Sequence, residues 1–409
     1  MTVPLRRNRD YTLLWVGQAC AEVGFSASLI AFPLLVLAVT GSAVASGVVL
    51  AADAVAQFVV GLPGGALADR WDRRRVMLAC EGVQAAALAS LVAVLLLDAV
   101  VLPHLVLVAV VLGACRALFE PAEDASIAAI VPDDQLATAI ALNSARSSIG
   151  QLAGTALGGV LFAIARWVPF LLDLITHVIA FTALLFLRLP PRRVERAPLR
   201  GLGREVRDGI RWVARHPEIR VTTLCAVVLN LFFSAFYLIV IVLADQRGVP
   251  AGEIGIMAAM LGAGGLLGAL IAPALHRALR PHIAIAAVFW ALTALAPLTL
   301  LVPGGYLMGA VFAAMALFAP TANTTITTHQ LLLTPDEMRG RLSGVMNVAV
   351  GAAAAIGPAL GGVLAETLTA RHAVVVCVIG MAVVTLFVTV NPTLRRYPGR
   401  AHQREEVQL

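Results

Sequence analysis

The chain contains no lysine, and all 30 of its basic residues are arginine. Charge of either sign is scarce: 13% of the 409 residues are charged and 60% are apolar, with a mean hydropathy of +0.89. That balance excludes an ordinary soluble globular protein. Aromatic residues make up only 6%. The five cysteines, Cys20, Cys80, Cys115, Cys225 and Cys377, all sit in apolar stretches without paired spacing, so neither a disulfide framework nor a metal site is expected. Eight histidines show no ligand spacing either. A phosphate-binding loop, a dinucleotide fingerprint and a nucleophile elbow are missing, which argues against an enzyme and against any cofactor. An ion gradient or a partner protein must then supply any energy the chain uses.

What is present is a series of membrane-length apolar stretches. They fall at about 12–38, 44–67, 76–98, 103–128, 139–164, 168–189, 219–244, 252–275, 282–302, 306–331, 343–366 and 372–391, each near the roughly 20 residues that hydrocarbon thickness demands. An all-α membrane protein with twelve spans is expected. Of the 30 arginines, 25 lie in the two termini and the even-numbered connections, while Arg166, Arg247 and Arg371 lie on the other face. Arginine bias marks the cytoplasmic side, so both termini are expected there. The pI near 9.5 resides in these short loops, which suits anionic lipid headgroups better than nucleic acid. Arg6, Arg7 and Arg9 precede an apolar stretch too long for a signal peptide and without a small-residue cleavage site; it reads as span 1. The absence of lysine fits GC-rich codon usage, and hence a bacterial plasma membrane.

The second half restates the first. Val-Pro-Asp-Asp at 131–134 precedes Gly-Thr-Ala-Leu-Gly-Gly-Val-Leu at 154–161; 203 residues later, Thr-Pro-Asp-Glu at 334–337 precedes Gly-Pro-Ala-Leu-Gly-Gly-Val-Leu at 357–364. Residues 117–127 likewise align with 316–326, so spans 4 and 5 correspond to spans 10 and 11. Six spans per half, an even number, make these parallel repeats about an axis along the membrane normal. The expected organisation is a six-helix bundle over 1–189, a linker over 190–218, a second bundle over 219–391 and a tail over 392–409. In the linker, Leu202, Val206, Ile210 and Val213 share one helical face and Arg204, Arg207, Arg211 and Arg215 the other, the pattern of a tethering helix on the membrane surface.

Between spans 2 and 3 stands Gly-Ala-Leu-Ala-Asp-Arg-Trp-Asp-Arg-Arg-Arg, 65–75. This resembles the cytoplasmic-loop signature of the major facilitator superfamily. The glycines of span 11, Gly357 and Gly361 with Pro358, resemble the antiporter motif of drug exporters, and Gly154 and Gly158 are their repeat counterparts. Thr-Gly-Ser at 40–42, Ala-Asp-Arg at 68–70 and the segment 205–213 resemble the drug:proton antiporter branch that contains macrolide-efflux and enterobactin-exporter proteins. Two bundles, alternating access and proton coupling are what the resemblance implies. It also implies that Gly65, Asp69, Arg70 and Arg73 form a conformational motif, with Asp69 bracing the outward-facing state against the start of span 11 and the arginines meeting Glu123 or Asp124. A cluster that merely sets topology would account for Arg74 and Arg75 without requiring Asp69.

Span 4 carries the densest polar stripe, with Arg116, Glu120 and Glu123 within about 60° of arc and Asp124 a little further round. Each charge at mid-bilayer costs roughly 2.5–3.5 kcal/mol, so these groups must pair or face water. Arg146 on span 5 is expected at the depth of Glu120, as its partner. Either a passive ion-pair ladder or a proton-linked switch fits the pattern. Glu22 and Asp53 are read as lone acids about 15 Å deep, candidates for reversible protonation. Asp173 and His177, one turn apart on span 6, suggest a local hydrogen bond rather than a proton relay. The second half has no deep acid; Asn230, Tyr237, Asn323 and Asn347 are its expected cavity groups. Thr155 stands where the other repeat has Pro358, so span 5 is expected to kink less than span 11.

These features lead to one expected function: proton-coupled export of amphipathic small molecules, such as drugs or natural products, by a monomer. A siderophore exporter, a lysophospholipid transporter or an importer of the same fold are the rivals within transport. A non-transporting sensor or scaffold is the rival outside it, and costly acids such as Glu22, Asp53 and Glu120 argue against that one.

Overall fold

The structure, a computed structural model, describes residues 4–189 and 202–392. Its elements are helical, with no strand among the described residues. The first half comprises α1 (Arg9–Thr40), α2 (Ala43–Arg70), α3 (Arg73–Leu96), α4 (Leu102–Ile130), α5 (Asp133–Ile164) and α6 (Val168–Leu185). Then follow α7 (Leu202–Arg215), α8 (Pro217–Gln246), α9 (Ala251–Ala278), α10 (Pro281–Leu295), α11 (Gly305–Ala316), α12 (Ala319–Leu332), α13 (Asp336–Thr367) and α14 (Ala370–Val390). Twelve segments are long and apolar enough to cross a membrane, in agreement with the twelve stretches of the sequence, and α7 is the short helix between the halves.

The helix ends are written in the sequence. Asn8 accepts a hydrogen bond from the Tyr11 amide to start α1, and Asp72 accepts one from the Arg75 amide at 2.8 Å to start α3. Gly41 ends α1 at φ +67°, a conformation that favours glycine. Pro132 and Pro335, 203 residues apart, occupy the equivalent cap positions of α5 and α13. Span 10 differs from the single helix expected: it is divided between α11 and α12 just before Pro320. Proline lacks the amide hydrogen a helix interior needs, and the division leaves it in the first turn of α12, where that hydrogen has no role. Span 6 stops at Leu185 rather than 189 because the Arg74 guanidinium binds the carbonyls of Leu184 and Leu185.

The contacts form two compact units, Met1–Leu199 with Ala244–Ala259, and Arg200–Leu243 with Met260–Leu409. Residues 244–259, expected in the second bundle, thus group with the first unit. Residues 190–201 of the expected linker and 393–409 of the expected tail lie outside the described residues. Inside the first unit, α1 packs on α5 through glycine. A Cβ added at Gly158 would lie 2.6 Å from Ile30 Cγ2, and one at Gly154 would lie 2.6 Å from Ser26 Cβ. Inside the second, Gly361 and Gly357 of α13 do the same for α8, with Ala235 O at 2.5 Å and Ser234 Cβ at 2.6 Å. The antiporter-type glycines therefore act as close-approach points in both repeats, where packing of small residues drives helix association in lipid. Within α7, Val213 is buried against Ile219, Leu342 and Val345 and Arg207 and Arg211 are exposed, while Ile210, expected on the face of Val213, is exposed as well.

Candidate functional site

Two apolar clusters fill the first unit. One gathers Tyr11, Leu14, Met77, Phe119 and Leu184; the other gathers Phe32, Leu35, Leu88, Leu105 and Phe170. Along α1, α3 and α6 the residues between these clusters are polar: Gln18 and Glu22, Glu81 and Gln84, Asp173 and His177. All of these but Asp173, together with the stripe on α4, border a cleft of about 210 Å³. Five carboxylates, two guanidiniums and one imidazole line it. Excess negative charge in a site with apolar walls raises the local concentration of cations.

Arg116 and Arg146 divide the stripe between them, and differently from the expected ladder. Arg146 does not pair with Glu120. Its guanidinium donates to both oxygens of Glu123, at 2.6 and 3.3 Å, with side-chain exposures of 5% and 7%. Glu123 is one turn further along α4 than Glu120, and the two-pronged geometry of guanidinium on carboxylate favours the buried partner. Arg116 takes Glu120 instead, at 2.9 Å, and sits 3.6 Å from Glu22. Glu22 is therefore not the lone acid its sequence neighbours suggest. Arg116 also stacks over the Phe25 ring at 4.1 Å, which orients the guanidinium between the two acids. Gly150 on α5 makes room for Glu22, since a Cβ there would lie 2.7 Å from Glu22 Cγ.

Asp53 lies apart from this cleft. Its carboxylate accepts from Gln57 at 2.8 Å, and the small pocket beside it is apolar, lined by Phe25, Leu50 and Leu112 among others. Phe25 borders both spaces, so Glu22 and Asp53 address neighbouring compartments rather than one. Arg73 donates to the carbonyl of Ala125 on α4 at 2.6 Å, while Arg146 takes Glu123 and Asp124 borders the cleft. Arg74, read as a topology marker, caps α6. The side chains of Gly65, Asp69 and Arg70 lie outside the described residues.

Sequence reasoning missed Glu81. Its carboxylate accepts from Gln18 at 2.9 Å and meets His177 Nδ1 at 2.6 Å, and His177 Nε2 is 3.3 Å from Asp173. The signal was available, because Glu81 interrupts an apolar window of span 3 as Glu22 does in span 1. In the second unit the expected cavity groups do not converge in this way. Asn230 donates to Ala226 O of its own helix, Tyr237 packs against the Phe312 ring at 5.9 Å, and Asn323 is exposed. The Asn347 side chain lies outside the described residues.

Two repeated units of membrane-spanning helices, one of them holding a charged cleft, define a polytopic transporter fold. The chain belongs to the transmembrane secretion effector family of the major facilitator superfamily, whose model matches residues 2–404. This is a family of transporters and not of enzymes. The chain is 27% identical over 379 residues to the multidrug efflux pump Tap of Mycolicibacterium fortuitum, covering 87% of this chain and 88% of Tap. It is 26% identical over 403 residues to the enterobactin exporter EntS of Escherichia coli, covering 96% and 94%. Among solved structures, the nucleoside transporter NupG superposes with a TM-score of 0.75 at 12% identity, over 94% of this chain and 98% of that one. A bacterial homologue of the iron transporter ferroportin, in an inward-facing state, gives 0.71 at 16% identity, over 97% and 99%. At these identities the superpositions establish the fold alone.

Proposed function

We propose that this protein exports amphipathic cationic or neutral small molecules across a bacterial plasma membrane, by alternating access driven by proton entry. The observation that carries the reading is Arg116 held between Glu22 and Glu120 on the cleft wall. A proton on either acid weakens its hold on the guanidinium and lets Arg116 shift to the other. A bound cation competes with Arg116 for the same carboxylates, so substrate and proton oppose one another at one place, which is what antiport requires. Asp53, beside an apolar pocket, serves as the second proton-handling acid. The conformational motif from Gly65 to Arg73 and the glycines of α5 and α13 supply the moving parts, and Asn230, Tyr237, Asn323 and Asn347 the neutral surface of the second half. Energy comes from the proton gradient, with no cofactor.

The similarity to Tap supports efflux. The similarity to EntS raises an anionic siderophore as an alternative cargo, and five carboxylates in the cleft disfavour it. The test is ethidium accumulation in inverted vesicles under an imposed pH gradient. Wild-type protein is expected to accumulate the dye, and Glu22→Gln and Asp53→Asn to insert normally while losing gradient-driven accumulation. Wild-type rates in both variants would remove these acids from the mechanism.

A further inference from the structure

The cluster of Glu81, His177 and Asp173 is not used by the mechanism above. It is among the most deeply buried polar groups of the first unit, with side-chain exposures of 2%, 4% and 0%. Three helices contribute: α3 brings Glu81, α6 brings His177 and Asp173, and α1 brings Gln18 and closes over the aspartate. A Cβ added at Gly24 of α1 would lie 2.9 Å from Asp173 Oδ1, so this glycine is what admits the carboxyl.

Counting hydrogens shows a vacancy for one proton. Nδ1 of His177 is 2.6 Å from Glu81 Oε2, a short hydrogen bond in which the ring donates to the carboxylate. A neutral imidazole then turns a lone pair at Nε2 toward Asp173 Oδ1, 3.3 Å away. Lone pair faces lone pair unless a proton lies between them, on Nε2 or on the carboxyl. Neither oxygen of Asp173, nor Nε2, has a hydrogen-bond partner. A buried carboxylate without a donor is costly, so this contact requires a hydrogen on one side or the other. The other titratable neighbours are the thiols of Cys80 on α3 and Cys115 on α4, and across the cleft Glu22 on α1, Arg116 and Glu123 on α4 and Arg146 on α5. None of these is positioned to supply the missing hydrogen.

The cluster also has a direction. Glu81 and His177 border the cleft and Asp173 does not. Four residues earlier on α6, Asp173 stands about 6 Å nearer the Val168 end, which the arginine distribution assigns to the outer face. We propose that Glu81, His177 and Asp173 form a buried proton-binding relay that connects the Val168 end of α6 to the cleft. In the relay step the carboxyl hydrogen of Asp173 passes to Nε2 while the Nδ1 hydrogen passes to Glu81 Oε2. Asp173 is left as a carboxylate, Glu81 as an acid, and the ring as the other neutral tautomer. Glu81 then releases its proton into the cleft, and Gln18 keeps its carboxyl in place through Oε1. The purpose of the relay rests on the proton-driven reading above; its capacity to bind a proton does not.

Two measurements test it. Nitrogen-15 NMR of the histidine-labelled full chain in lipid nanodiscs follows the His177 ring across pH, identified by its loss in His177→Gln. If that variant does not insert, the near-isosteric Asp173→Asn supplies the assignment. Proton binding is expected to move the ring nitrogen shifts within the pH span imposed across the vesicles, by exchange of the neutral tautomers or by protonation at Nε2, with the midpoint displaced in Asp173→Asn. Ring nitrogen shifts that stay constant throughout overturn the proposal, whether or not the chain moves ethidium. In inverted vesicles, Asp173→Asn is expected to lose the pH dependence of ethidium accumulation, whereas a merely structural aspartate would scale the rate and leave the profile's shape unchanged. A wild-type-shaped profile therefore also overturns it. Wild-type protein that leaves ethidium unmoved counts against the export reading for that cation, and the NMR result then decides the relay alone.

Discussion

The pair Arg146–Glu123 offers the most quantitative test of how the first unit holds its charges. Two guanidinium hydrogens meet two carboxylate oxygens at 2.6 and 3.3 Å with almost no solvent contact. At an effective dielectric near 20 the attraction at the shorter distance is about 6 kcal/mol, against a desolvation penalty of several kcal/mol per ion. The two nearly cancel, so the pair adds little net stability. Removing one partner leaves the other charge buried and unpaired. Arg146→Met and Glu123→Leu are each expected to destabilise the unit by about 3–5 kcal/mol, and the double variant by about 1 kcal/mol or less. The assay is equilibrium unfolding of the reconstituted protein in mixed micelles of rising SDS fraction, run as a double-mutant cycle. Additive effects, or single variants within about 1 kcal/mol of wild type, would show that the pair is not a buried lock and would refute the reasoning.

Arg116 is expected to behave differently, because its partner Glu120 has 59% of its side chain accessible. Arg116→Met with Glu120→Leu should give a stable protein that binds ethidium yet fails to accumulate it against a gradient; accumulation at the wild-type level would make the cluster a passive ladder. Gly158→Leu and Gly361→Leu each force a side chain into a backbone contact, and each should cost about 1–3 kcal/mol or more, read as a lowered unfolding midpoint. An unaffected midpoint in either would deny that glycine its close-approach role. Asp69→Asn, chosen from the family signature, should shift the population toward inward-facing by roughly 1–3 kcal/mol, reported by weaker cysteine labelling from the outside. Unchanged labelling would remove Asp69 as a brace.

Apolar length alone located all twelve membrane segments, because in hydrocarbon a helix must satisfy its own backbone and no competing structure is available. The repeat located the packing glycines for a similar reason: Gly154 and Gly357 occur at one offset because each meets the same backbone problem. Pairing was less legible. Helical spacing placed Arg146 level with Glu120, yet a shift of one turn brought it to Glu123, and depth read at 1.5 Å per residue cannot separate partners so close along an axis. The Glu22–Arg116 contact was hidden because it joins residues far apart in the chain, and so was the cluster at Glu81, whose partners Gln18 and His177 lie on two other helices.

The repeats differ in where they hold carboxylates. Glu120 aligns with Ala319 through the shared segments 117–127 and 316–326, so the fold tolerates an apolar residue at that position. Span 7 likewise offers Asn230, bonded to its own backbone, at roughly the repeat position where span 1 offers Glu22, bonded to Arg116. A carboxylate that the fold can do without, held in a membrane at a cost of roughly 2.5 kcal/mol or more, needs another reason to be there. Two of the acids that lack an acidic counterpart in the second repeat, Glu22 and Glu120, converge on one arginine, and a third acid of the cleft, Glu81, closes on one histidine. The repeats therefore share the packing machinery and divide the chemistry. Among the described residues the titratable groups of the cleft come from the first repeat, and neutral Asn230 and Asn323 stand at the positions in the second that correspond to Glu22 and Asp124.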